Sequence, residues 1–380
     1  MVELGQRSGP HRARVGFLYI AQAHQVLHSI SVAVELARAR ADIDVSVLAT
    51  NEDGLAYARS IVTALGGAPL TWALLGPAWL RGAHKAGQTP PKLPMLAANA
   101  WRLGRFDMLV APERTTTALR WLGPSRQKLV YTQHGAGDRE GPFEKRLGLF
   151  DLVFAAGAKQ RDRMVDEGLV TPEACAVVGY PKFDVVDALP RLRPPPFAHD
   201  RPVVLYNPHF ASSISSWPRW GPEVLAAFAD QQDYNLVFAP HVRLFEGRTA
   251  ADVPALAPFR GHPSIHIDLG SCAAIDMTYT TLADLYLGDV SSQVYEFIRR
   301  PRPCLFLNAN GVHWAGDESY RHWRFGPVID TIDKLMIDVH GARQTLPLYA
   351  PEQMESFAYT FDDNGCRASR RAADAIMALL

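Results

Sequence analysis

The sequence predicts an α/β protein with two doubly wound parallel-sheet domains facing each other across a cleft. Three observations carry this. Apolar runs of strand length alternate with amphipathic, helix-spaced segments along the chain. A proline-rich stretch interrupts the alternation near its middle, and 380 residues exceed what one hydrophobic core normally serves.

The elements follow in order. Residues 15–21 read as a buried strand, 31–40 as a helix with apolar positions at Val32, Val34, Leu36 and Ala37, and 44–50 as a second strand. Strand, helix, strand is a parallel βαβ unit, whose right-handed crossover favours a doubly wound sheet. Strands at 106–111, 128–132, 151–155 and 176–179 continue the series, with a charged helix near 159–168. PRLRPPPFAHDRP at 190–202 lacks many backbone donors and favours extended backbone, as a stiff connection does. Beyond it, strands at 202–206, 234–239, 283–287 and 303–308 alternate with helices again. The expected division is a first domain at 1–189, a linker at 190–202, a second domain at 203–365 and a terminal helix at 366–380.

Composition narrows the function. Lys plus Arg and Asp plus Glu number 39 each, so no basic field exists to hold a nucleic acid, and any anion must be met locally. The four cysteines form no CxxC pair and no zinc spacing, as expected of reduced thiols in a cytoplasmic protein. The first 14 residues lack the apolar core of a secretory signal, and no apolar run reaches the ~20 residues that span a bilayer. Any membrane contact is expected to be peripheral.

Ligands of open α/β sheets bind beyond the carboxyl ends of the strands. His134 and Gly135 follow the 128–132 strand in Tyr-Thr-Gln-His-Gly-Ala-Gly-Asp, whose glycines permit close approach. His241 follows the 234–239 strand in Phe-Ala-Pro-His. An imidazole from each domain suits group transfer from a nucleotide diphosphate to an alcohol, although His241 alone reads equally well as a capping or surface histidine. Ser291 and Ser292 follow the 283–287 strand and open a helical 293–300 segment, which makes them either N-caps or hydroxyl donors to a phosphate at a helix N-terminus.

Other segments add candidates. His28 lies between the first strand and first helix; Glu113 and Arg114 follow the 106–111 strand, where Glu113 is a base for an acceptor hydroxyl or half of a loop ion pair. Residues 70–106 hold Arg81, Lys85, Lys92, Arg102 and Arg105 with Trp72, Trp79 and Trp101. Cations among tryptophans suit an anionic membrane surface or lipid-linked acceptor, or else an ordinary solvated face over core indoles. His313, Trp314, Asp317, Glu318, His322 and Trp323 share one aromatic, charged stretch with no role evident from sequence.

Taken in order, these segments resemble the CDP-glycerol glycerophosphotransferase family, which builds teichoic acid and capsule polymers on a GT-B fold. The likeness spans roughly 128–335. It rests on His134-Gly135, Gly179-Tyr-Pro-Lys182-Phe-Asp184, Tyr206-Asn-Pro208-His209, Pro240-His241, and Asp289-Val-Ser291-Ser292 with Arg302-Pro303 downstream. Lys182 stands where the family has arginine, His209 where it has threonine and Val290 where it has tyrosine. The resemblance implies that His134 and His241 are catalytic or contact phosphate. It implies donor contacts from Gly135, Lys182, Pro208, His209, Ser291 and Ser292, with Asp289 supporting the serine loop. His28, Glu113 and Arg114 are the expected acceptor residues. The expected reaction moves glycerol phosphate or a related polyol phosphate from a CDP donor to a hydroxyl of a glycan, lipid-linked or polymer acceptor. No cofactor and no essential metal are expected. A UDP-sugar transferase or epimerase, and a nonenzymatic polymer-binding subunit, are the alternatives.

Overall fold

The computed structural model describes residues 12–81, 90–123, 126–133, 135–138, 143–189, 197 and 199–380. Its N-terminal lobe comprises β1 (Ala13–Tyr19), α1 (Ile30–Ala39), β2 (Ile43–Ala49), α2 (Glu52–Ala64), β3 (Thr71–Leu74), α3 (Ala78–Arg81), α4 (Lys92–Leu103), β4 (Met108–Ala111), α5 (Leu119–Leu122), β5 (Lys128–Thr132), β6 (Leu152–Ala155), α6 (Ala158–Asp166), β7 (Cys175–Val177) and α7 (Pro181–Ala188). The C-terminal lobe comprises β8 (Val203–Asn207), α8 (Trp217–Ala229), β9 (Asn235–Phe238), β10 (Ile265–Ile267), α9 (Thr278–Leu282), β11 (Leu285–Gly288), α10 (Gln293–Phe297), β12 (Cys304–Leu307) and β13 (Val328–Ile329). Two helices end the chain, α11 (Leu335–Thr360) and α12 (Ala368–Leu379).

The first sheet has the order β3-β2-β1-β4-β5-β6-β7 and the second β10-β9-β8-β11-β12-β13, every pairing parallel. The central strands are buried on both faces: β4, β6, β8, β9, β11 and β12 expose almost nothing, which is why each reads as an unbroken apolar run. This is the GT-B architecture. The three strands without a sequence signal, β3, β10 and β13, lie at sheet edges and are half-exposed, and β10 and β13 span only three and two residues.

In both sheets the winding reverses between the first strand of the lobe and its fourth, β1 beside β4 and β8 beside β11. A crevice opens at such a switch point, beyond the strand ends. One core cluster joins the lobes: Ala136, Tyr180 and Phe183 pack with Val290, Val294, Tyr295 and Phe361. Helix α12 returns to the first lobe, where Ala372, Ala373 and Ile376 are buried with Ile30, Val34 and Val185. Most of the 190–202 connection, residues 190–196 and 198, lies outside the described residues.

Candidate active site

A cavity of about 750 Å³ lies between the lobes. Its walls are the segments that follow β1, β4 and β5 in one lobe and β8, β9 and β11 in the other. These are the strands beside the two switch points, so the topology alone brings Gln25, His28, Glu113, Arg114 and Gly135 opposite His209, His241, Ser291 and Ser292.

The C-terminal wall is organised around Asp289. This buried carboxylate accepts from the His209 and Val290 N–H groups and from the N–H and hydroxyl of Ser216, at 2.6 to 2.9 Å. Burial pushes its pKa up to about 6 against the pull of those donors. The loops after β8 and β11 are thereby tied together, the supporting position expected of Asp289. His241 donates its N–H to the Pro208 carbonyl at 2.9 Å. Pro208 itself is absent from the cavity wall, so its part is to hold the His241 backbone.

The imidazoles have defined tautomers. His241 Nδ1 accepts the Arg243 N–H at 3.2 Å and His209 Nδ1 accepts the Ala211 N–H at 3.0 Å. A ring nitrogen that accepts carries no proton, so each neutral ring keeps its proton on Nε2 and is a donor there. The rings lie 5.3 Å apart, and Phe210 packs against both, at 4.3 and 4.6 Å. Arg243 covers the Phe210 ring at 4.1 Å and has no ion pair among the described residues.

The two serines differ. Ser291 is buried and its hydroxyl accepts the Gln293 N–H at 3.3 Å, a local turn bond; Ser292 is exposed in the cavity wall. Helix α10 spans only five residues, ending at Phe297 rather than near 300, so its dipole is small. The glycine segment approaches this loop closely: a side chain on Gly137 would meet the Ser292 Cβ at 3.1 Å, and one on Gly135 the Ser292 Oγ at 3.6 Å. His134, between Gln133 and Gly135, lies outside the described residues.

Lys182 lines the cavity but is committed. It is buried and bound to Glu296 at 2.6 Å, and the Tyr180 hydroxyl donates to the same carboxylate at 3.0 Å. Lys182, expected to contact phosphate, thus makes a contact between the lobes from its place in the cavity wall. Glu113 is likewise engaged: the Gln25 amide donates to it at 2.5 Å and Lys92 pairs with it at 2.9 Å. Arg114 pairs with Glu144 at 2.9 Å, and His28 packs edge-on against Tyr180 at 5.2 Å.

Sequence reasoning missed a buried network beside the glycines. The Asp138 carboxylate accepts from the Tyr295 hydroxyl at 2.7 and 2.8 Å and from Lys159 at 2.8 Å, and lies 3.0 Å from His322 Nδ1. Burial pushes this carboxyl up, but the His322 and Lys159 contacts outweigh burial and hold it below the usual range. The Asp289 carbonyl accepts from Trp323 Nε1 at 2.9 Å, with His322 Nε2 at 3.2 Å. Lys159 and Gln160 also donate to the Ala136 and Gly135 carbonyls, so α6 shapes the glycine segment. Asp138 lay within a motif noted for its histidine, and nothing local marked it.

Among the described residues, no group of three or more His, Cys, Asp and Glu side chains is placed to hold a metal ion, and no helix is long and apolar enough to cross a membrane. In the basic, tryptophan-bearing region, Trp79 and Trp101 are 73 % and 79 % exposed. Trp72 instead lies on β3, under Arg59 at 5.1 Å.

These features define a two-lobed GT-B protein with one large cleft cavity. No family model and no curated protein matches the chain. Solved structures do match its fold. The wall teichoic acid polymerase TagF soaked with CDPG aligns over 97 % of this chain and 88 % of its own, with a TM-score of 0.63 and 14 % identity. A UDP complex of MnaA from S. aureus aligns over 96 % and 95 %, at 0.60 and 12 %. A UDP-N-acetylglucosamine 2-epimerase aligns over 96 % and 95 %, at 0.59 and 14 %.

Proposed function

We propose that this protein is a transferase that moves glycerol phosphate, or a related polyol phosphate, from a CDP-activated donor to a hydroxyl of a glycan, lipid-linked or polymer acceptor. One observation carries the reading: an exposed serine hydroxyl, two Nε2–H imidazoles and Arg243, which has no ion pair among the described residues, line one end of a cavity whose other end is a second lobe's hydrogen-bonding wall. The ordered likeness of five motifs to the glycerophosphotransferase family supports the donor class, as does the shared fold with TagF. The matching UDP-bound fold of MnaA keeps a UDP-sugar reaction as the second reading.

In the proposed reaction the acceptor oxygen attacks the phosphorus bearing the polyol. A new P–O bond forms, the P–O bond to CMP breaks, and the hydroxyl proton passes to a base, for which His134 is the candidate. Charge grows on the phosphoryl oxygens, where His241 Nε2–H, Ser292 and Arg243 offer fixed donors. His209 lies tilted beside His241, and Asp289 ties the His209 loop to the serine loop.

The test is incubation with CDP-glycerol, CDP-ribitol and UDP-sugars, followed by nucleotide analysis. CMP release that falls about 10²- to 10⁴-fold in His134→Ala and His241→Ala is the expected result. Release of UMP or UDP without CMP rejects the donor.

A further inference from the structure

We propose that the N-terminal-lobe end of the cavity recognises an uncharged, hydroxyl-rich unit of the acceptor, a sugar or polyol, and that Gln25 and Tyr131 are the residues that read it. This rests on the reading of that end as the acceptor side. It narrows the acceptor from any hydroxyl-bearing molecule to one whose recognised part carries no phosphate.

Charge is the first argument. Among the described residues, each Lys or Arg lining this end of the cavity already has a carboxylate, Lys92 with Glu113 at 2.9 Å and Arg114 with Glu144 at 2.9 Å. Pairs so close leave little field for a further anion. The opposite end differs, because Arg243 lies over Phe210 with no carboxylate partner among the described residues. A phosphate is therefore favoured there and disfavoured beside Glu113.

Hydrogen bonding is the second. The Gln25 amide cannot be turned around, because Nε2 must be the group facing the acceptor-only carboxylate of Glu113, at 2.5 Å. Its Oε1 is left buried in the cavity wall without a hydrogen-bond partner, on a residue only 1 % exposed. A buried amide oxygen demands a donor. An ionised phosphate has only acceptors to offer, whereas a hydroxyl donates and accepts at once. Tyr131, near the end of β5, supplies the complementary donor from the same wall, and burial pushes its phenol up, so it stays protonated. Gln25 follows β1 and Tyr131 lies one residue from the end of β5, on either side of β4, so the strand order of the sheet sets the pair.

The experiment is a titration of the full chain, with and without saturating CDP, using methyl β-glucopyranoside, glycerol and inorganic phosphate as probes. The glycoside or glycerol is expected to bind saturably, and Gln25→Leu or Tyr131→Phe to weaken that binding about 5- to 10-fold while CDP affinity changes less than twofold. Tyr131→Phe keeps the ring and decides the matter if Gln25→Leu fails to fold. Three results overturn the proposal: no saturable binding of either neutral probe, neutral-probe binding indifferent to both substitutions, or phosphate binding abolished by Lys92→Met in place of neutral-probe binding. Neutral-probe binding with the expected losses, but no binding of CDP, rejects the CDP-dependent reaction and leaves this inference standing.

Discussion

Asp138 shows how one residue can hold a site that it does not advertise. Four contacts from three residues of two lobes converge on its carboxylate, and two of those residues, Lys159 and His322, are cationic or capable of being so. Replacing it by asparagine keeps the shape and removes the charge that compensates buried Lys159. Loss of one partner of such a pair costs about 3–5 kcal/mol. Because the folded carboxyl binds its proton less readily than the unfolded one, its stabilisation is complete above the unfolded value of about 4 and is lost as pH falls below it. Urea unfolding of wild type and Asp138→Asn should therefore differ most at pH 7, with a narrower gap at pH 3. An equal gap at both pH values would show that the charge is not what matters.

At the scale of the element, α10 is a five-residue helix with an unusual burden. Tyr295 reaches Asp138, and the next residue, Glu296, holds Tyr180 and Lys182, so adjacent positions tie the helix to two separate segments of the other lobe. The serine loop immediately precedes it, and its position depends on that anchorage. Lys182→Met should destabilise the protein by about 3–5 kcal/mol, since it leaves the Glu296 carboxylate buried and uncompensated. Adding Glu296→Gln should restore most of the loss, because the buried charge is then gone as well. A double variant as unstable as the sum of its parts would mean that the two residues do not act as a pair. Chemical denaturation of the three variants measures this directly.

For the whole molecule, the chain crosses between lobes more than once, and α12 completes the core of the lobe from which the chain started. The cavity walls thus depend on the relative placement of both sheets. The same molecule carries exposed Trp79, Trp101 and Trp121 on α3, α4 and α5 of the first lobe, with exposed Leu93 on α4 and Leu122 on α5. Indoles at the surface next to Arg81, Arg102 and Arg105 suit headgroup-level contact with an anionic bilayer. Sedimentation with phosphatidylglycerol vesicles, but not phosphatidylcholine vesicles, is the expected behaviour, weakening at high salt. Trp79→Ala with Trp101→Ala should abolish it; unchanged sedimentation would assign these tryptophans another use.

The linear chain by itself determined the architecture, because strands buried on both faces must be apolar throughout and helices must alternate with them. Central runs such as Lys128–Thr132 are therefore readable, while the edge strands β10 and β13 are too short and too exposed to show one. His28, Glu113, Gly135, His241, Ser291 and Ser292, picked out by the strand-end rule, and His209, picked out by motif resemblance, all line one cavity. What those side chains do there was decided only in three dimensions. Lys182 and Glu113 look available in sequence and are paired in space, and Ser291 turns inward while Ser292 faces the opening. Asp138 and His322 are 184 residues apart, as are no two groups that local pattern could relate. Periodicity reports which way a residue faces relative to its own element; the partner it meets is set by how separate elements pack.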